Sequence, residues 1–266
     1  KGAINFETQE VKFRLDENGK PIDVFIKEMK DSNHLIEEFM LLANKMVAER
    51  IGKVLGKKEP PTFVYRIHDE PSSEKITDFA LFIGKLGYNI KLDTRRNLAS
   101  SLNKLFKNIK GKAEENMVES LAIRTMAKAH YSTENIGHYG LAFDFYTHFT
   151  SPIRRYPDLM VHRLLEKYLM GGKSVDYDEY EQYCIHASDM EKKASDAERA
   201  SVKYKQAEYL SERMGTEFEG HISGVSKWGI YVELNENHCE GMIPLRNLYD
   251  DYYLLDEENY LIYGQR

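Results

Sequence analysis

Residues 138–165 constrain this chain more than any other part of its sequence. The segment reads HYGLAFDFYTHFTSPIRRYPDLMVHRLL, so aromatic residues and histidines lead into a pair of arginines. Arg154 and Arg155 stand between Pro152 and Pro157, where an apolar pattern predicts that a helix begins. An arginine guanidinium is planar and always charged, and a helix N-terminus adds positive potential. The segment therefore favours phosphate binding.

The composition predicts a soluble globular protein. The 266 residues are 42% hydrophobic and 30% charged, which allows one large domain and one small one. No apolar run approaches the roughly 18 residues that a membrane span needs, and no secretory signal pattern is present. Cys184 and Cys239 stand far apart, which fits a reducing compartment. We therefore expect a cytoplasmic protein without a membrane segment.

The charge distribution limits how such a chain binds nucleic acid. The net charge of −6 excludes a surface that attracts phosphate everywhere. Basic residues do cluster between Lys85 and Lys128, with Arg95, Lys112 and Arg124 among them. This cluster is either a local RNA-binding lining or a solvated helix face.

The residue pattern predicts an α+β fold. Strands are predicted near residues 2–6, 11–15, 22–26 and 62–67, with a hairpin turn at Asn18-Gly19. Helices are predicted to begin near Ser32, to run through about 73–84, 94–109 and 113–129, to begin again near Asp158, and to occupy 177–213. After Gly215 the pattern changes to three short strands, at 218–225, 229–234 and 241–243. This order of strands resembles the start of an OB-fold barrel, which needs five strands to close, so we expect the barrel to be incomplete.

The segment 138–165 resembles the signature of the ribonuclease R and ribonuclease II family, and its unbroken YTHFTSPIRRYPDL is closer to ribonuclease R. The resemblance implies a processive 3′→5′ exoribonuclease that hydrolyses single-stranded RNA to nucleoside 5′-monophosphates. It also implies two domains. Residues 1–214 resemble the mainly helical C-terminal part of the catalytic domain, with an N-terminal β-hairpin. Residues 215–266 resemble the start of an OB-fold RNA-binding domain, cut short.

The same resemblance implies Mg²⁺, held by aspartates in a motif of the form DxxxxxDxDD. Nothing in this chain matches that motif, and the acidic runs near Asp176, Asp250 and Asp256 are interpreted as solvated faces. We therefore expect no metal ligand here and an upstream part of the same polypeptide that supplies the aspartates. The chain alone is then expected to be inactive.

Two residues are matched to the family's catalytic positions. Arg154 matches an arginine that binds the terminal phosphate and neutralises charge in the transition state. The alternative is a structural arginine that pairs with Asp158. Glu198 aligns with a glutamate that orients the attacking water or the 3′ nucleotide, and the alternative is an ordinary helix-surface carboxylate.

Further residues are matched to RNA contacts. Phe6 is matched to an aromatic that clamps the last stacked bases, or else is a core strand residue. Glu37 is matched to a ribose- or base-contacting acid, with Glu38 as the neighbouring register. Tyr139 is either part of the RNA channel wall or core, and Arg155 is a weaker candidate than Arg154.

The last RNA-binding candidates lie in the OB segment. Trp228 and Tyr231 occupy positions where this fold displays stacking aromatics. Two rival interpretations remain beside the enzyme: a non-catalytic RNA-binding relative of the family, and a structural module with no RNA role.

Overall fold

The computed structural model describes residues 3–4, 10–27, 29–54, 59–112, 114–256 and 261–265. Its helices are α1 (Asp31–Gly52), α2 (Ser73–Lys85), α3 (Arg95–Ile109), α4 (Glu115–Thr125), α5 (Tyr156–Leu169) and α6 (Tyr177–Ser211). Its strands are β1 (Glu10–Leu15), β2 (Pro21–Lys27), β3 (Tyr65–Ile67), β4 (His130–Ser132), β5 (Gly220–Ser226), β6 (Gly229–Leu234), β7 (Glu240–Pro244), β8 (Tyr253–Asp256) and β9 (Leu261–Gly264). The fold is α+β, as the sequence predicts.

The first hydrophobic core lies among α2, α3 and α4. Leu98, Leu102 and Ile109 recur at helical spacing along α3, and each is almost fully buried. Thr94 caps this helix, because its hydroxyl accepts a hydrogen bond of 3.2 Å from the backbone N–H of Asn97. These contacts hold α3 in place beside the segment 138–165.

The second core joins α5 to the ribbon formed by β3 and β4. Val161 and Leu164 of α5 are buried with Phe63 and Val64, which precede β3. Tyr131 of β4 belongs to the same cluster. This core fixes the start of α5, and with it the arginine pair, against the β3–β4 ribbon.

Helix α1 has an apolar face that the described residues leave exposed. Its exposed large apolar side chains are Leu35, Ile36, Phe39, Leu42 and Met46. Only Asn44, Ala48 and Ile51 of the helix are buried. The first half of α1 therefore contributes little to either core.

Helix α6 is the longest element, with 35 residues, of which Cys184 alone is buried. Asp176 caps its N-terminus by accepting a 2.8 Å hydrogen bond from the backbone N–H of Glu179. Polar contacts attach the first half of α6 to β4: Tyr131 N donates to Ser188 Oγ at 3.0 Å, and Thr133 N donates to Glu181 Oε2 at 2.6 Å. The helix is therefore positioned more by hydrogen bonds than by apolar packing.

The strands form small open sheets. In the described residues β1 pairs with β2, β3 with β4, β5 with β6 and β7, and β8 with β9. The prediction of only three strands after Gly215 is wrong, since β8 and β9 form a further hairpin. Short apolar runs interrupted by tyrosines and acids gave that hairpin no clear alternating pattern. No closed barrel forms among the described strands.

Two other boundaries differ from the prediction. Helix α4 ends at Thr125 instead of near residue 129, because Met126 is extended. The chain then enters β4, which the sequence did not predict, since its antiparallel partner β3 lies far away in the sequence. Most of the strand predicted at residues 2–6 lies outside the described residues, although Ile4 N donates to Gly140 O at 2.9 Å.

Candidate active site

The arginine pair lies in a tight turn at the N-terminus of α5. The backbone N–H groups of Arg154 and Arg155 both donate to Ser151 O, at 3.3 and 3.0 Å. Asp158, in the first turn of α5, is fully buried and accepts hydrogen bonds from Ser151 N at 2.7 Å and from Arg155 Nη2 at 2.9 Å. The interpretation that pairs Arg154 with Asp158 is therefore wrong, because Arg155 occupies that place. Arg154 is left exposed.

Arg154 and Glu198 line the same open cleft, which has a volume of about 720 Å³. We call it the arginine cleft and define it by Tyr131, Arg154, Arg155, Tyr156, Glu191 and Glu198. Arg154 comes from the turn before α5 and Glu198 from the middle of α6, so two distant parts of the chain meet there. Neither side chain has an ion-pair partner among the described residues. One cation and one carboxylate, each unpaired among the described residues, thus face a shared open space.

Glu191 adds a second carboxylate to the cleft wall, and sequence reasoning missed it. Arg66 of β3 donates to both of its oxygens, with Nη1–Oε2 at 2.6 Å and Nη2–Oε1 at 3.2 Å. The Arg66 guanidinium also lies over the Tyr131 ring, 4.6 Å from its centre. Because Arg66 and Glu191 are 125 residues apart, no local sequence pattern predicts that they form a pair. The only available signal was that Glu191 precedes Glu198 by two helical turns.

Beneath the cleft lies a layer of rings, in which two tyrosines are buried and two histidines are half-buried. The Tyr131 hydroxyl is 2.8 Å from His148 Nδ1, and the rings of Tyr146 and His138 continue the layer. Burial lowers the pKa of His148 to about 2, and the nearby Arg155 and Arg66 lower it further in the same direction. Burial likewise raises the pKa of Tyr131 to about 12. Near neutral pH this layer is therefore uncharged, and the charges of the cleft lie at its surface.

The remaining candidates of the catalytic part are not gathered in the arginine cleft. Phe6 lies outside the described residues. Glu37 is on the exposed side of α1, 3.7 Å from His34 Nδ1. Tyr139 is 5% exposed and packs in the first core, under the guanidinium of Arg95, so its placement agrees with the core alternative and not with an open channel wall.

The aromatic candidates of the last segment lie on the β5–β7 sheet. Trp228, in the β5–β6 turn, is 67% exposed, and Lys227 Nζ lies 5.0 Å from its ring centre. Tyr231 of β6 lines a second cavity of about 460 Å³, between this sheet and α4, with Arg124 and Lys203. Neither aromatic lines the arginine cleft.

Three residues of the basic cluster between Lys85 and Lys128 have different surroundings. Arg95 Nη2 donates to the carbonyl oxygens of His138 and Tyr139, at 3.0 and 2.9 Å. Lys112 donates to the Tyr88 hydroxyl at 2.7 Å, while Arg124 lines the second cavity. Arg95 and Lys112 thus support the fold.

The residues that the structure describes do not fit a metal centre. Among the described residues, no three histidine, cysteine, aspartate or glutamate side chains converge as a metal would require. Glu191 is held by Arg66 and Asp158 by Arg155, so these two carboxylates near the cleft are already paired with cations.

Residues 1–171 match the RNB domain, and this match defines the class of protein. The chain is 38% identical to ribonuclease R of Aquifex aeolicus over its whole length, and spans 37% of that protein. It also resembles Mycoplasma genitalium ribonuclease R in complex with ribose-methylated single-stranded RNA. The TM-score is 0.86 and the identity 29%, over 100% of this chain and 42% of that one. This chain belongs to the RNB-domain ribonuclease family, with ribonuclease R as its relative.

The fold is shared more widely. Yeast Ssd1, described as a pseudonuclease, matches 88% of this chain with a TM-score of 0.69 and 23% identity, and the chain covers 29% of it. That likeness concerns the fold alone. Within the described part of the chain, no helix is both long and apolar enough to cross a membrane.

Proposed function

We propose that this chain is the C-terminal part of the catalytic domain, followed by an RNA-binding segment, of a processive 3′→5′ exoribonuclease. The substrate is single-stranded RNA and the products are nucleoside 5′-monophosphates. The observation that carries the proposal is that Arg154 and Glu198, 44 positions apart by their numbers, line one cleft in a member of this family. We also propose a cytoplasmic location, in keeping with two free buried cysteines.

Arg154 is proposed to bind the phosphate next to the 3′-terminal nucleotide. Its guanidinium has no ion-pair partner among the described residues and projects from a helix N-terminus, so two sources of positive potential coincide. A fixed cation at this place stabilises the negative charge that grows on the phosphate in the transition state. Arg155 holds the turn through Asp158 and thereby orients its neighbour.

Glu198 is proposed to face the same phosphate from the opposite wall. An exposed carboxylate there accepts hydrogen bonds, which suits it to orient the attacking water or a hydroxyl of the 3′ nucleotide. Like charge keeps the carboxylate away from the phosphate oxygens, so a hydroxyl or water is its natural partner. The two side chains therefore have complementary tasks.

Magnesium dependence is part of the proposal, and the ligands are assigned to an upstream part of the same polypeptide. When bound, the metal supplies charge neutralisation and activation of water. The described residues contain no cluster able to hold it. We therefore propose that the chain alone binds RNA without cleaving it.

The alternative is a non-catalytic RNA-binding relative, since a pseudonuclease shares this fold. The exposure and convergence of Arg154 and Glu198 favour the enzyme, because a binding protein has no need for a carboxylate opposite a phosphate-binding arginine.

The test uses the longer polypeptide that contains this chain and its upstream part, incubated with 3′-tailed single-stranded RNA and Mg²⁺. We expect stepwise degradation from the 3′ end. Arg154→Ala lowers kcat by about 10²–10³-fold while RNA affinity changes little, because a transition-state contact is lost. Arg163→Ala, an exposed arginine of α5, is the matched control.

Intact RNA in the presence of the unaltered protein would reject the enzyme in favour of the binding relative. Normal turnover by Arg154→Ala would reject the role of Arg154 alone. Cleavage by the isolated chain that disappears with Arg154→Ala would contradict the assignment of the metal ligands to an upstream segment.

A further inference from the structure

Glu198 is carried by a stretch of α6 that has almost no packing of its own. Glu191, Glu198 and Lys205 are spaced seven residues apart, so they lie on nearly one face of the helix, with a drift of about 20° per step. Each step is about 10.5 Å long by the helical rise. Glu198 stands midway and is exposed, while the residues on both sides of it in this series are attached to other elements.

Both attachments are polar. Lys205 Nζ donates to Gly19 O in the β1–β2 turn at 2.6 Å, and Glu212 pairs with Lys20 of the same turn. At the other end, Glu191 is bound by Arg66 through two hydrogen bonds. The position of Glu198 therefore depends on hydrogen-bonded attachments on both sides of it and on the stiffness of the helix between them.

The Arg66 attachment is the one directed at the cleft. Arg66 is 13% exposed, and its guanidinium is fixed from below by the Tyr131 ring and from the side by both oxygens of Glu191. Tyr131 and Glu191 themselves line the arginine cleft, so this fixed plane forms part of its wall. A displacement of Glu191 would shift Glu198 relative to Arg154, because the two glutamates share a continuous helix.

We propose that Arg66 is a positioning residue for the candidate active site, acting through Glu191 on the placement of Glu198 opposite Arg154. The inference rests on the proposed function. Arg66 does not itself have to touch RNA, since both of its terminal nitrogens are engaged by Glu191. Its task is to fix the register between α6 and the β3–β4 ribbon.

The planar fork of arginine is what this task requires. Lysine retains the charge but makes one hydrogen bond at a time and loses the flat contact with the ring, so α6 gains freedom without losing the ion pair. A misplacement of about 1 Å in such a site lowers the rate by up to about 10²-fold, whereas substrate affinity depends on many other contacts. The expected signature is thus a change in kcat at constant KM.

The experiment compares Arg66→Lys, Glu191→Gln and the double variant in the longer polypeptide, with single-turnover and steady-state kinetics on 3′-tailed RNA. We expect each single variant to lower kcat about tenfold with KM within about twofold. The double variant should be no slower than the worse single variant, because the two residues form one pair. Arg14→Lys, in the exposed pair with Asp23, is the matched control.

A second cycle links the pair to Glu198. Adding Arg66→Lys to the Glu198→Gln variant should lower kcat by a much smaller factor than adding it to the unaltered enzyme, since its effect passes through the Glu198 carboxylate. If the effects of Arg66→Lys and Glu198→Gln on kcat were fully additive, the proposal would be overturned even if Arg66→Lys lowered kcat. Normal kcat in both Arg66→Lys and Glu191→Gln would overturn it as well. If Arg66→Lys fails to fold, Glu191→Gln decides, because glutamine keeps the size and shape of the glutamate side chain and removes only its charge. An unaltered enzyme without activity would instead reject the proposed function.

Discussion

Arg154 and Arg155 are adjacent, yet their surroundings give them opposite properties. Arg155 is paired with Asp158, which is fully buried and also holds Ser151 N, so removing either partner leaves an uncompensated charge. Arg154 is exposed in the cleft. The ion pair between Arg155 and the buried Asp158 thus stabilises the turn, and Arg154 keeps its charge available to a ligand.

At the residue scale, the buried histidines predict a pH-dependent stability. The pKa values of His148 and His138 are lowered to about 2 and about 3 in the folded protein, in each case mainly by burial. The unfolded chain, with ordinary pKa values near 6.5, then binds more protons as pH falls below about 6.5. Each histidine lowers the free energy of unfolding by about 1.4 kcal/mol per pH unit in that range. The contribution is constant above about pH 6.5.

The variant His148→Gln removes one of the two side chains that bind a proton when the chain unfolds. We expect urea unfolding between about pH 6 and 4 to show a slope about 1.4 kcal/mol per pH unit smaller than that of the unaltered chain. His34→Gln, on the exposed side of α1, serves as the control and should leave the slope unchanged. Equal slopes for His148→Gln and the unaltered chain would show that the ring is not buried as described.

The sequence predicted the cleft residues that belong to a recognisable motif. It missed those that only the packing of distant elements places at the cleft. Arg154 lies in the segment 138–165, and Glu198 was found through its alignment with the family. Arg66 and Tyr131 gave no signal and Glu191 only its spacing from Glu198, because their contacts cross up to 125 residues of chain and depend on how α6 lies on β4. Tyr139 was ambiguous because an aromatic in a short loop suits a core and an RNA wall equally well.

At the element scale, α6 shows how a long helix is attached with little apolar burial. Glu181, Ser188 and Glu191 follow one side of the helix, and each meets a group on or beside the β3–β4 ribbon. Cys184 is the single buried residue between them. Hydrogen bonds are directional, so this arrangement fixes the register of the helix along the ribbon more tightly than apolar contact would.

Glu181 is predicted to contribute most to this attachment. It accepts hydrogen bonds from Thr133 N at 2.6 Å, from Thr133 Oγ1 at 2.5 Å and from Ser132 Oγ at 3.2 Å. Glu181→Ala leaves the buried groups of Thr133 unsatisfied, which costs about 1–3 kcal/mol in the free energy of unfolding. Denaturant unfolding of Glu181→Ala and of the unaltered chain measures this difference in the free energy of unfolding.

The matched control is Asp189→Ala, on the exposed side of the same helix, which should change the free energy of unfolding by less than about 0.5 kcal/mol. Equal effects of the two substitutions would argue that α6 is attached by other means.

The elements that sequence patterns predicted well are the ones with local causes. Helices α2 and α3 follow from apolar spacing, and the β1–β2 hairpin follows from its Asn18-Gly19 turn. Strand β4 and the β8–β9 hairpin were missed. Strand β4 exists because β3 pairs with it, and three residues carry no periodicity of their own.

At the scale of the whole molecule, a net charge of −6 makes any RNA binding a local property. The chain has a single tryptophan, Trp228, which stands 67% exposed on the β5–β7 sheet beside Lys227. Its fluorescence therefore reports on that sheet alone, in a protein whose other candidate site is the arginine cleft.

We predict that single-stranded RNA quenches Trp228 emission in the isolated chain. A base stacked on the indole contributes about 1–3 kcal/mol, so Trp228→Ala should weaken binding of labelled RNA, measured by anisotropy, whereas Trp228→Phe keeps most of it. Tyr249→Ala, at a 90% exposed tyrosine, is the control. The salt dependence should be shallow, about −0.7 in log–log slope for each phosphate contacted. Emission that RNA leaves unchanged would remove Trp228 from the binding surface.

The length of α6 has a mechanical consequence. By its rise, the 35-residue helix is about 50 Å long, and about 30 Å of it lies beyond Glu191. A tilt of 5° about the Arg66 attachment displaces the far end, which leads into β5, by about 2.6 Å, yet it moves Glu198 by only about 0.9 Å. Glu198 lies closer to that pivot, so it moves only about a third as far as the end of the helix. The contacts of Lys205 and Glu212 with the β1–β2 turn hold the far part of α6 and oppose such a tilt.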